Sequence, residues 1–263
     1  LFVPLDFKLV DDLALAQPGQ LENANLSFDA SDIGPAIEYD FLTRSAGTAL
    51  PALGTISRSA LSLTVTAASG AHPQVLTDTS IRSLEAEVVR LPQSLAGNPH
   101  WSAFRRRFTD AAAVAGFDDL TAKGFTGAFG EIVANVNDHS GDPGSAVVAY
   151  QRSAKQFRFV VADSGMGILT SLRQNAAYAA LRDHGEALRM AMSTGETRFG
   201  RGSGRGTGFD TVFRNIASFS GNIRFRSGDH SLEVAGQSLT LASAHLRQRA
   251  NFSGFFAFIS CVA

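Results

Sequence analysis

The sequence predicts an α+β protein: helices laid on one face of a mixed β-sheet as a two-layer sandwich, preceded by a β-rich N-terminal region. Three observations point there. Ala146–Gln151 and Phe157–Ala162 are apolar runs joined by a short polar turn, which reads as two adjacent strands. Two stretches before them read as helices, Trp101 to Ala115 and one capped by Asp118 or Asp119 that reaches about His139. Gly254–Val262 is an apolar run that reads as a last, fully buried strand.

Composition sets the bounds. A chain of 263 residues with 44% hydrophobic and 18% charged residues can bury a core and does not read as disordered. A net charge of -1 gives no electrostatic reason to expect a nucleic-acid partner. The single Cys261 excludes an internal disulfide and any multi-cysteine metal site. No apolar run approaches the roughly 20 residues of a spanning helix, and no basic-then-apolar signal opens the chain. A cytoplasmic location is therefore expected. The start at Leu1 reads as that of a piece trimmed from something longer.

Taken in order, residues 1–98 form a region without an assigned role. Leu61, Leu63 and Val65 alternate with polar residues as in a half-buried strand. Shorter strand-like pieces fall at Phe2–Val10 and Ile37–Leu42. Asp6, Asp11, Asp12, Glu22, Asp29, Asp32, Glu38 and Asp40 read as a solvated acidic face, with a docking surface as the alternative. Thr79 or Ser80 then caps an expected helix with Ile81, Leu84, Val88 and Leu91 on one stripe, stopped by Pro92.

Residues 99–263 carry the chemistry. The Trp101–Ala115 helix holds Arg105, Arg106 and Arg107, a solvated face or a phosphate or partner contact. In the next helix Phe125, Phe129, Ile132, Val133 and Val136 share a core stripe. Glu131, Asn135 and His139 recur every fourth residue on another face, with Asp138 beside them. A carboxamide oxygen suits Mg²⁺, and a carboxylate one turn away can orient or deprotonate a nucleophile. The plainer reading is the polar side of an amphipathic helix.

The strand Phe159–Ala162 stops on Asp163, with Gly165 and Gly167 at alternate positions after it. Glycine is costly to fix, so its use there implies a geometric need. From Gly195 to Gly208, six glycines in fourteen residues lead into an expected helix with Val212, Phe213 and Ile216 on its apolar side. Such a stretch is either a flexible linker or a loop whose N–H groups converge on an anion. The following helix, with Arg198, Arg201 and Arg205, favours the loop. It lacks the Gly-Lys-Ser/Thr of a Walker loop and the preceding strand of a dinucleotide fingerprint. Asn222–Arg226 and Leu232–Ala235 read as a hairpin around Ser227–His230.

An E-x-x-x-N helix, a strand ending D-x-G-x-G and a glycine-rich loop opening a helix occur in that order. This resembles the GHKL superfamily of ATP-binding domains, shared by DNA gyrase B subunits, heat-shock chaperones, sensor histidine kinases and MutL proteins. The phrases E-I-V-A-N-V-N-D-H-S and D-S-G-M-G-I also look like bacterial ATP-binding proteins of undefined role. The resemblance implies a Bergerat-type ATP-binding fold over 99–263. It makes Glu131 and Asn135 the N-box, Asp163, Gly165 and Gly167 the first glycine box, and Gly204, Gly206 and Gly208 the second.

By the same resemblance ATP and Mg²⁺ are the expected ligands, with Glu131 catalytic and Asn135 the metal residue. Asp138 and Thr207 join the glycines as nucleotide-binding residues, and Leu169 to Phe199 forms a mobile lid. A partner protein or a second copy is expected. No phosphoacceptor helix of the His-Glu-x-x-Thr-Pro kind is present, so self-phosphorylation on His is not expected. Three activities follow: a Mg²⁺-dependent ATPase switching a lid and partner surface, a protein kinase acting on a separate protein, or a sensing module without turnover.

Overall fold

Two strands, β5 (Val147–Ser153) and β6 (Gln156–Asp163), form the hairpin on which the sheet is built. The computed structural model describes residues 2–16, 27–29, 32–45, 74–78, 84–193 and 208–263. β5 pairs outward with β4 (Leu84–Arg90), and β4 with β3 (Gln74–Asp78). On the other side β6 pairs with β8 (His245–Val262), and β8 with β7 (Ser220–Gly236). The order is β3-β4-β5-β6-β8-β7 and every pairing is antiparallel, so the expected mixed sheet is corrected. The protein is α+β, as expected. Two short strands, β1 (Phe2–Pro4) and β2 (Ser27–Asp29), pair in parallel apart from this sheet.

Both faces of the sheet are covered. Tyr150, Phe157, Phe159 and Val161 point to one side, where they pack with the core residues of α3 (Pro99–Val114) and α4 (Asp119–His139). Phe104, Phe108, Phe125 and Phe129 of these helices are all buried there. Val147, Ala149, Val160, Ala162, Phe256 and Phe258 point the other way, against α1 (Phe7–Leu15) and α2 (Ile33–Arg44). The result is three layers instead of two. A strand buried on both faces reads as a continuous apolar run, which is why Phe159–Ala162 lacks alternation.

The strand expected at Phe2–Val10 holds over Phe2–Pro4 as β1 and gives way to α1 from Phe7, and α2 replaces the strand expected at Ile37–Leu42. Asp6 caps α1 by accepting from Leu9 N at 2.7 Å, and Asp32 caps α2 by accepting from Gly34 N at 3.0 Å. Pro35 falls in the first turn of α2, where its missing N–H costs nothing. Every residue from Ile33 to Leu42 is buried, so α2 has no polar face and shows no helical stripe in the sequence. Of the supposed solvated acids, Asp11, Glu38 and Asp40 are buried.

Two further expectations are corrected. Leu84–Arg90 is the strand β4 and not part of a helix; Ala86 and Val88 face α1 and α2, while Glu87 and Val89 face α3. Arg107 of the basic triplet, half-buried, grips Glu87, with Nε to Oε2 at 2.9 Å and Nη2 to Oε1 at 2.6 Å. Tyr150 Oη donates to the same carboxylate at 3.0 Å. The expected hairpin of 222–226 with 232–235 is instead one strand: Ile223 pairs with Ile259 and Leu232 with Leu246, both on β8. Gly228, at φ +60°, makes a bulge there and not a reversal.

The half-buried strand expected at Leu61–Val65 and the helix cap expected at Thr79 or Ser80 fall outside the described residues. The boundary drawn at 98/99 falls between β4 and α3, which the Glu87–Arg107 pair joins. No helix among the described residues is long and apolar enough to cross a membrane.

Candidate functional site

Asp163 ends β6 with 1% of its surface exposed. Its Oδ1 accepts the N–H of Gly165 at 2.8 Å. Burial pushes its carboxyl up to about 7, with Asp142 adding to the rise and the Gly165 and Phe255 backbone amides opposing it. A carboxyl so placed depends on hydrogen bonds, here from the Gly165 and Phe255 backbone amides, because almost none of its surface is exposed.

The glycines after it serve close approach. A Cβ at Gly165 would stand 2.2 Å from the carbonyl oxygen of Ser140, the residue that ends α4. That same carbonyl accepts the N–H of Met166 at 2.8 Å. Gly167 opens α5 (Gly167–Leu172) at φ +73°, in the left-handed region that suits glycine. The turn is thereby docked on the C-terminal end of α4. Ser164 N adds a bond to Ser145 Oγ at 3.1 Å.

This docking brings the C-terminal end of α4 to the end of β6. The helix starts on Asp118, whose carboxylate accepts Thr121 N at 2.7 Å, and buries all five residues of the predicted stripe. Glu131 is exposed, while Asn135, Asp138 and His139 are partly buried. Asn137 Nδ2 donates to Asp138 Oδ1 at 3.3 Å. Among the described residues no cluster of three or more His, Cys, Asp or Glu could hold a metal ion. A metal here would have to rely on the Asn135 amide oxygen and on oxygens from a ligand or water, a set that suits Mg²⁺.

α7 (Gly208–Ile216) starts on the last glycine of the 195–208 stretch and reaches the same end. Phe219, just beyond it, packs on Phe117 and Phe125 near the start of α4, with ring centroids 5.5 and 5.3 Å apart. Phe209, in its first turn, lies 6.0 Å from Phe255, and Phe255 is the cross-strand partner of Asp163. α7 therefore runs antiparallel to α4, with its N-terminal end toward Asp163. Gly208 is its first residue; Gly204, Gly206 and Thr207 lie outside the described residues.

The stretch expected as a lid, Leu169 to Phe199, is described up to residue 193. It holds most of α5, a 3-10 turn at Ala176–Tyr178, and α6 (His184–Met192). α6 packs on β7 through buried Leu188 and Met192, while its Ala187 packs with Leu169 and Leu172 of α5.

Ser140, Ser227 and Gly254 were not legible as site residues. Ser227 Oγ accepts Ile168 N at 3.0 Å across 59 positions and donates to Gly254 O at 2.7 Å. A lone serine in a strand carries no local signal for such a role. No protein-family model matches the chain, and no curated protein matches it.

Proposed function

We propose that this chain is an ATP-binding domain of the GHKL type, with a Bergerat-like arrangement of α3, α4 and α7 on the sheet. The carrying observation is the buried Asp163 carboxylate at the end of β6, with the C-terminal end of α4 docked on its glycine turn. Asp163 accepts a hydrogen bond from the exocyclic amine of adenine. Gly165 and Gly167 hold the turn tight enough for that carboxylate to stay buried. On this reading the phosphates are met by the N-terminus of α7, which Gly208 opens.

Asn135 would hold Mg²⁺, which when bound would supply charge neutralisation at the phosphates. Glu131, one turn earlier and exposed, orients a water for attack on the γ-phosphate. On this reading ATP hydrolysis drives a partner surface, with transfer to a separate protein as the second reading. A nucleotide-sensing module without turnover is the third reading. Calorimetry with ATP and GTP tests the binding: tight ATP and weak GTP are expected, because guanine lacks that amine at the matching position. Equal affinities sink the reading. The fate of a γ-phosphate label, to water or to protein, then separates hydrolysis from transfer.

A further inference from the structure

We infer that Ser227 is a positioning residue of this site: its hydroxyl clamps the Asp163–Ile168 turn to the sheet and so keeps the Asp163 carboxylate in its buried place. The functional meaning of this inference rests on the ATP reading.

Ser227 sits in the bulge of β7, 2% exposed. One hydroxyl serves two chain segments, accepting from Ile168 N at 3.0 Å and donating to Gly254 O at 2.7 Å. Both segments bear on Asp163. Gly254, at φ +92°, lies so close that a Cβ would stand 2.0 Å from the Asp163 carbonyl oxygen and 2.9 Å from Gly165 N. A Cβ on Gly167 would meet Ser227 Oγ itself at 2.9 Å. Backbone from β6, the turn and β8 therefore stacks without intervening side chains, and the hydroxyl ties the stack together.

The clamp has a fixed base. Arg226, the preceding residue, is fully buried and bonded to Glu38 of α2. Gly228, the following one, lies under the His184 ring, where a Cβ would stand 2.1 Å from Nδ1. Reciprocally, a Cβ on Gly185 would stand 2.7 Å from His230 Cδ2. This interlock of two Gly–His contacts pins the bulge to α6, as the ion pair pins it to α2. A polar group whose own support is rigid can hold its partner in one geometry. Without the hydroxyl, Ile168 N–H and Gly254 C=O lose their partner, and the turn is free to lift and admit water to Asp163.

The test is a ¹³C NMR titration of the Asp163 carboxyl in wild type and in Ser227→Ala, Ser227→Cys and Ser227→Thr. Wild type should titrate near pH 7. Ser227→Ala should titrate about one unit lower or more, because water relieves the desolvation. Ser227→Cys nearly keeps the volume but bonds weakly, so it should follow Ala; Ser227→Thr keeps the hydroxyl and should follow wild type. Wild-type behaviour in both Ala and Cys would show that the hydroxyl does not hold Asp163 and overturn the inference. Should Ala fail to fold, Cys alone decides in the same way. ATP affinity should fall about three- to tenfold in Ala. A shifted Asp163 with undiminished ATP affinity also overturns the inference. A wild type that binds no ATP ends the ATP reading instead, while the titration still judges the clamp.

Discussion

Glu38 and Arg224, 186 positions apart, meet as a two-pronged pair in the buried layer between α2 and β7, with Nε to Oε2 at 2.8 Å and Nη2 to Oε1 at 2.9 Å. Arg226 bonds the same carboxylate, and Asp11 of α1 accepts from Arg224 at 2.6 Å. Burial pushes the Glu38 carboxyl up, but the two guanidiniums outweigh it and hold it below its ordinary value. Arg249 and Glu233 extend the network toward the surface. Removing one partner of such a group leaves a buried charge unpaired, at a cost of about 3–5 kcal/mol. Glu38→Ala should therefore lower the urea midpoint strongly. A loss within about 0.5 kcal/mol would mean that the network is solvated.

Asp163 sets a pH slope on stability. Its carboxyl lies near 7 in the fold and near 3.8 when unfolded, so between these values the native state holds a proton that the unfolded chain has lost. The contribution is complete below about pH 4 and disappears as pH rises to about 7, by up to roughly 4 kcal/mol at 1.36 kcal/mol per unit. Asp163→Asn keeps an oxygen for Gly165 N–H and should remove the slope. The variant should match wild type at pH 4 and exceed it at pH 8. Parallel stability curves would contradict the burial.

Two glycines should respond in opposite senses to alanine. At Gly254 the φ of +92° and the 2.0 Å approach to the Asp163 carbonyl leave no room, and the backbone strain alone costs about 1–3 kcal/mol. At Gly130, inside α4, a Cβ meets nothing within 4 Å. Gly130→Ala should gain about 1 kcal/mol from helix propensity. Thermal melts of both variants check the contrast, which vanishes if Gly254→Ala melts with wild type.

Asn135→Ala should weaken ATP binding much more with Mg²⁺ present than in EDTA, since the amide oxygen acts through the ion. Titrations under the two conditions decide it. The same loss in both would make Asn135 part of the helix surface and nothing more.

Glu131→Ala should keep nucleotide affinity and lose turnover, by the ~10²–10⁴-fold that a positioned general base contributes. Its exposure makes a structural cost small. A phosphate-release assay beside a binding titration reads both quantities. Joint loss of binding and turnover would place Glu131 in the walls of the site and not in its chemistry.

The sequence by itself determined the elements whose pattern is local. α4 was legible because its apolar stripe, its Asp118 cap and its Glu131–Asn135 face all lie within one stretch. The β5–β6 hairpin and the buried end of β8 were legible from apolar runs and a short polar turn. The D-x-G-x-G turn announced itself through glycines that only a close approach explains.

Tertiary structure alone decided the rest, because the information lies in partners far away in the chain. α2 is buried on all sides and so carries no stripe, and its Glu38 looked solvated until Arg224 and Arg226 arrived from β7. β4 mimicked a helix because Leu84, Val88 and Leu91 happen to fit a helical spacing, while its pairing with β5 fixes it as a strand. The bulge at Gly228 looked like a hairpin turn until β8 paired with both halves of β7. Ser227 shows the limit most clearly. A single hydroxyl has no pattern of its own, and its role exists only where Ile168 and Gly254 are folded against it.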